Sequence, residues 1–285
     1  MVKDYIEQLK DIPMMPEVSA KVVKLTEDKL EISFRELENI IKTDPGLTAK
    51  ILKIANSALY ARQREIKSLQ MAITLLGFKN IKSLVLLITA SGFFPHMRKA
   101  QFFRLYWAHS LVSGFLARKI AIRCNRNDLS EEAFIAGLLH DIGQPVLYGV
   151  NSTEYEAVLA EEKDGILPLE AIEDRHFGAN HREVGGALLK KWNFPDIYAD
   201  TALEHESVNI TSPHKTLIIF ASVACLLSEP VVFGRITEQK KEILAKLRPY
   251  TCLGAGEMED FLAAANEDLK KDPLFKEYQS LLGLA

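Results

Sequence analysis

The chain has 285 residues, 48% of them hydrophobic, and a formal net charge of −3. That is enough apolar material for one large domain or two ordinary ones, and nothing in the global charge recruits nucleic acid or an anionic membrane. The three cysteines, Cys124, Cys225 and Cys252, lie far apart without Cys-x-x-Cys spacing, so they suggest neither a disulfide framework nor a thiolate zinc site, and a cytoplasmic, reducing location fits.

In chain order, the amino terminus Met-Val-Lys-Asp-Tyr-Ile-Glu is charged too early for a secretion signal. Ser33 followed by Glu36 predicts a capping box, and Asp44-Pro45 predicts a helix start with proline in the first turn. Leu47, Ile51, Ile54 and Ala58 repeat at helical spacing, and Leu75-Leu76-Gly77 reads as a stop. The stretch from Gly92 to Lys99, broken by Pro95, is the candidate joint before a second helical set from Gln101 to Leu227, within which Ser212-Pro213 predicts another helix start. The apolar runs around Leu84 to Phe94 and Thr216 to Leu227 are too short for a bilayer and read as buried core helices. No stretch alternates with a period of two, so the expected fold class is all-α, a multi-helical bundle. Its expected parts are residues 1–94, 95–228 and a helical extension over 229–285.

Six of the seven histidines lie between His109 and His214. His140-Asp141 sits inside the apolar run Ala-Phe-Ile-Ala-Gly-Leu-Leu-His-Asp-Ile-Gly, where an isolated carboxylate must be paired, protonated or bound to metal. Gly143 and Pro145 follow, so a helix ending here lets both side chains turn toward one centre. Ala136 and Gly137, one turn before, leave room for another helix to approach. His109 shares a helical stripe with Leu105, Val112, Leu116 and Ile120; His181 begins one through Val184, Gly185 and Leu188; His205 closes the next helix beside Glu204 and Glu206. Four imidazoles and one carboxylate form a ligand set for zinc, manganese or iron. The competing reading is four hydrogen-bonded core histidines, with Asp141 orienting His140. His96, His176 and His214 have polar settings and read as surface residues.

The order Trp107-x-His109-Ser110, then Phe134-x-Ala-Gly-Leu-Leu-His140-Asp141-Ile-Gly143, resembles the HD superfamily of metal-dependent phosphohydrolases. Ile12-Pro13-Met14-Met15-Pro16-Glu17, the run from Thr43 to Ser57 and Ala72-Ile-Thr-Leu-Leu-Gly77 narrow the resemblance to the HDOD branch, the HD-related output domain of bacterial signalling proteins. Phe177-Gly-Ala-Asn-His181-Arg-Glu-Val-Gly185 and Leu188-Leu-Lys-Lys-Trp192-Asn-Phe-Pro195 extend it, so that it covers roughly residues 8 to 228. The resemblance implies an HD-like helical core preceded by an amino-terminal helical set, with His109, His140, Asp141, His181 and His205 as metal ligands and Asp141 as the catalytic group if the protein is active. It also implies departures. The usual paired histidines become His205-Glu206, or Glu204-His205 in the neighbouring register; the last aspartate becomes Ser222; Gln144 stands where catalytic relatives often carry lysine.

The leading expectation is a stand-alone signal-transduction module that binds a protein partner or a ligand without dependable catalysis. A metal-dependent phosphohydrolase acting on a nucleotide or cyclic nucleotide is the alternative. A third reading rests on residues 35 to 104, which hold twelve Lys or Arg against four Asp or Glu. Lys50, Lys53, Arg62, Arg64 and Lys67 could meet nucleic-acid or nucleotide phosphates there, although a solvated lysine-rich surface is the preferred account.

Overall fold

A computed structural model describes residues 15–25, 30–57, 66–93, 97 and 100–284, and every element among them is helical. The chain divides into two compact units, one comprising residues 13–95 with Pro273–Gly283, the other centred on residues 96–272.

In the amino-terminal unit the helices are α1 (Glu17–Lys24), α2 (Leu30–Ile41), α3 (Pro45–Ala55), α4 (Leu69–Leu76) and α5 (Phe78–Gly92), joined by the last helix, α16 (Pro273–Leu282). Asp44 caps α3 as its sequence predicts, accepting from the Leu47 N–H at 2.9 Å with Pro45 in the first turn. Leu47, Ile51 and Ile54 form the buried stripe of α3, and α4 stops at Leu76 before Gly77. Ser33 is a correction: it lies inside α2, one turn beyond the start at Leu30, so it is not a cap.

The larger unit contains α6 (Gln101–Arg123), α7 (Ser130–Leu139), α8 (Gly143–Val150), α9 (Ser152–Glu162), α10 (Leu169–Phe177), α11 (His181–Lys191), α12 (Asp196–Glu204), α13 (Lys215–Val232), α14 (Glu238–Leu247) and α15 (Met258–Lys271). Its centre is the packing of α6 on α7 and α13, with α11 wedged between α8 and α12. Ser212 does not cap α13, which begins at Lys215; its hydroxyl accepts from the His214 N–H at 3.0 Å and donates to Asp200 at 2.7 Å, closing the preceding turn instead. The apolar run in α13 also extends further than expected. The helix has 18 residues and the length and apolarity of a bilayer span, yet every residue from Leu217 through Glu229 is buried, as in a core helix.

Two glycines set the close approaches that the site needs. A Cβ on Gly137 of α7 would lie 2.7 Å from the Ser113 carbonyl oxygen and 2.9 Å from the Gly114 Cα, both on α6. One on Gly143 would run into the His181 carbonyl and stand 2.8 Å from the Gly185 nitrogen. Real Cβ atoms do not tolerate such contacts, so glycine lets α6 meet α7 and α8 meet α11 backbone to backbone.

Candidate metal centre

Four helix segments deliver the side chains. His109 is midway along α6; α7 ends at Leu139, and His140 and Asp141 occupy the tight turn before α8, where Ile142 N–H bonds back to the Leu139 carbonyl at 3.1 Å. The backbone at His140 stays helical at φ −54 and ψ −38, and the two adjacent side chains still meet, His140 Nε2 lying 3.3 Å from Asp141 Oδ2. His181 is the first residue of α11, behind its cap Asn180, and His205 follows the last residue of α12. All five are buried.

Asp141 is the hub. Its Oδ2 lies 3.3 Å from His140 Nε2 and 3.6 Å from His109 Nε2, and its Oδ1 lies 3.1 Å from His205 Nε2 and 3.5 Å from His181 Nε2. The histidines also pair across each half: His109 Nε2 to His140 Nε2 is 3.2 Å, and His181 Nε2 to His205 Nε2 is 3.4 Å.

The opposite ring nitrogens fix the tautomers. His140 Nδ1 donates to the Gly137 carbonyl at 2.8 Å and His205 Nδ1 to the Ala202 carbonyl at 2.9 Å, because a carbonyl only accepts. His181 Nδ1 lies 2.5 Å from Glu173 Oε2, a carboxylate with the same constraint. Ser228 donates its hydroxyl proton to the Cys225 carbonyl at 2.8 Å and is therefore the acceptor for His109 Nδ1 at 2.7 Å. Each imidazole, when neutral, thus turns an Nε2 lone pair inward, toward its neighbours and toward a carboxylate.

Burial pulls His109 down to about 3 and His205 to about 4, with Asp141 opposing it in both cases, so both are neutral at physiological pH. Burial also opposes protonation of His181, but the Glu173 carboxylate raises it above its ordinary value. Burial pushes the Asp141 carboxyl up, while its imidazole neighbours, His140 foremost, hold it well below the usual carboxylate range. Lone pairs facing an ionised carboxylate at 3.1 to 3.6 Å repel unless a cation or shared proton lies between them. Those separations are also the edges of a coordination polyhedron with bonds of about 2.0–2.2 Å. The donor set therefore fits a metal on two grounds, tautomer and spacing.

Around this cluster stand further groups, of which the sequence pattern does not point to Glu173 and Ser228. Glu173 orients His181, Ser228 orients His109, and Gln144 donates its amide to Asp141 Oδ2 at 2.8 Å. Glu206, in left-handed backbone at φ 59, turns into the site; burial favours its protonation, yet Lys240 at 3.7 Å and Arg182 bring it down to about 2. Glu204 instead accepts from Thr211 and Ser212 outside the cluster, so His205-Glu206 is the register of the site. Ser222 is engaged elsewhere: its hydroxyl donates to the Ile218 carbonyl at 2.7 Å and accepts from the Glu206 N–H at 3.0 Å. Cys225, which its spacing in the sequence does not suggest, stands beside the cluster; its Sγ lies 3.6 Å from His109 Nε2. A cleft of about 820 Å³, open mouth included, reaches the cluster between Phe102, Leu105, Leu159, Phe233, Arg235 and Lys240.

The remaining sequence candidates lie elsewhere. His176 is half-buried and bonded to Glu154 and Glu161, His214 is half-buried before α13, and His96 is outside the described residues. Lys50, Lys53 and Lys67 are exposed, Lys50 and Lys53 away from the buried stripe of α3, whereas Arg62 and Arg64 also fall outside the described residues.

Comparison with known proteins bears on the fold and the family. A protein from Treponema pallidum (strain Nichols) described as uncharacterized is 20% identical over 202 residues, 71% of this chain but only 39% of that protein's length. Among solved structures, an HDOD domain protein from Geobacter sulfurreducens superposes with a TM-score of 0.74 at 20% identity, covering 98% of this chain and 96% of its own. A protein from Shewanella amazonensis SB2B named as a candidate phosphohydrolase gives 0.71 at 20% identity, covering 98% and 97%. One from Marinobacter aquaeolei VT8 named as a candidate signal transduction protein gives 0.68 at 20%, covering 92% and 60%. These likenesses show the all-α fold. The model of the HDOD domain matches residues 12–208, and the chain belongs to the HDOD family.

Proposed function

We propose that the protein is a signal-transduction module of bacterial type whose HD-like pocket holds a divalent transition metal and presents it to a phosphate-bearing ligand in the cleft, without efficient hydrolysis. The observation that carries this reading is the common orientation of four imidazoles, each fixed through Nδ1 and aimed through Nε2 at Asp141. His109, His140, Asp141, His181 and His205 would hold the metal; iron, zinc and manganese all accept such donors.

A bound metal supplies charge against phosphate oxygens and lowers the pKa of coordinated water. The chain lacks two groups that would exploit this. Ser222 is neutral and engaged by Ile218 and Glu206, and Gln144 offers Asp141 a neutral amide in place of an ammonium. Ligand retention is therefore favoured over turnover.

One observation favours the alternative, a metal-dependent phosphohydrolase: Asp141 offers one oxygen to each histidine pair, an arrangement suited to two ions. A phosphodiesterase screen of the purified protein with manganese, iron or zinc, using bis-p-nitrophenyl phosphate and cyclic nucleotides, separates the two. Metal uptake without turnover supports the regulatory reading, and metal-dependent turnover abolished in Asp141→Asn establishes the hydrolase.

A further inference from the structure

Cys225 stands on the same side of Asp141 as His109 and His140. It is 2% exposed, and its sulfur lies within 4.8 Å of a ring nitrogen of each. Its S–H is directed to Glu206 Oε1 at 3.2 Å. The inward Nε2 of His109 is thus left facing sulfur lone pairs at 3.6 Å and the His140 Nε2 at 3.2 Å. Asp141 Oδ2 lies 3.6 Å from His109 Nε2 and 3.3 Å from His140 Nε2, and Gln144 is its donor. With the S–H so directed, the two Nε2 atoms and the sulfur turn lone pairs toward one another.

Position matters as well as distance. Residues three apart share a helix face, so Cys225 presents sulfur one turn beyond Ser222, whose hydroxyl is held by Ile218 and Glu206. The same face of α13 thus carries an engaged hydroxyl at one position and a sulfur beside the imidazoles at the next.

We infer that Cys225 is a metal ligand of this chain, completing with His109, His140 and Asp141 Oδ2 a site of two nitrogens, one sulfur and one oxygen that selects zinc, ferrous iron or cobalt over manganese and magnesium. The inference rests on the pocket being a metal centre and adds which metals it takes. Four donors of this kind match the tetrahedral preference of zinc, and thiolate discriminates against hard cations. As the ion binds, the S–H bond breaks and its proton is released to solvent through the cleft, leaving thiolate on the metal and the Glu206 carboxylate ionised. No electron is transferred. A thiolate also donates charge to the ion and makes it a weaker Lewis acid, in keeping with a site that binds more than it hydrolyses.

Cobalt(II) titration of the full chain carrying Cys124→Ser and Cys252→Ser, which leaves Cys225 as its single thiol, tests this directly. The expected spectrum has visible d–d bands together with a near-ultraviolet thiolate-to-cobalt charge-transfer band, and the further substitution Cys225→Ser removes the charge-transfer band while keeping the d–d bands. Zinc affinity is expected to fall at least about 10-fold in that variant, with manganese affinity little changed. Visible bands without charge transfer in the Cys225-containing protein overturn sulfur ligation and leave the metal centre standing. Absence of any cobalt signal overturns both, and circular dichroism of each variant confirms that the comparison is between folded proteins.

Discussion

Glu173 holds His181 at two points: its Oε2 accepts from the His181 backbone N–H at 2.8 Å and from the ring Nδ1 at 2.5 Å, while Oε1 accepts from the Tyr155 hydroxyl at 2.6 Å. The carboxylate therefore fixes the ring plane and tautomer of a residue it does not share a helix with. Glu173→Gln keeps the shape but puts an NH₂ where one of these oxygens accepts. Metal affinity measured by isothermal titration is expected to fall about 10- to 100-fold, with helical content unchanged. Unchanged affinity would show that His181 is not held this way.

The approach of α6 to α7 is equally specific. Gly137→Ala must move backbone, since its Cβ would meet the Ser113 carbonyl and the Gly114 Cα. A loss of about 1–3 kcal/mol in urea denaturation is expected, accompanied by weaker metal binding because His109 and His140 are pushed apart. Gly92→Ala, where nothing lies within 4 Å, is the matched control and should leave stability unchanged or slightly raised.

Much of this was legible in the sequence. The Asp44-Pro45 start and the Leu76-Gly77 stop are local devices, and they appear where the residues put them. The five convergent residues were legible because a carboxylate in an apolar run needs a partner and because histidines occupied otherwise buried stripes. Ser33 and Ser212 misled because the same side-chain chemistry serves helix interiors and turns as well as caps. Glu173, Ser228 and Cys225 left no local signal: each acquires its role from contact with a residue on another helix, 8 positions away for Glu173 and His181, 119 for Ser228 and His109, and 116 for Cys225 and His109.

Acid sensitivity follows from the buried imidazoles. In metal-stripped protein, burial holds His109 at about 3 and His205 at about 4, whereas the unfolded chain returns both to about 6.5. Below that value the unfolded state binds protons that the folded state refuses, so stability falls as pH drops from about 6.5 to about 4, by up to about 1.4 kcal/mol per pH unit for each group. The raised His181 acts oppositely: its contribution is full below about 6.5 and is lost as pH rises through its folded value. Asp141, held low, loses its contribution only in stronger acid, below its ordinary range. Urea midpoints of chelator-treated protein should therefore be lower at pH 5 than at pH 6.5; equal midpoints would contradict the burial of neutral imidazoles.

The most direct test of the central claim is the metal content of purified, reconstituted protein compared with Asp141→Asn, measured by inductively coupled plasma mass spectrometry. Asparagine keeps the size of the hub and removes the charge that lies within 3.1 to 3.6 Å of all four imidazoles. The account predicts a bound transition metal in the wild type and loss of most of it in the variant. A wild type that takes up no metal, or a variant that retains the full complement, contradicts it.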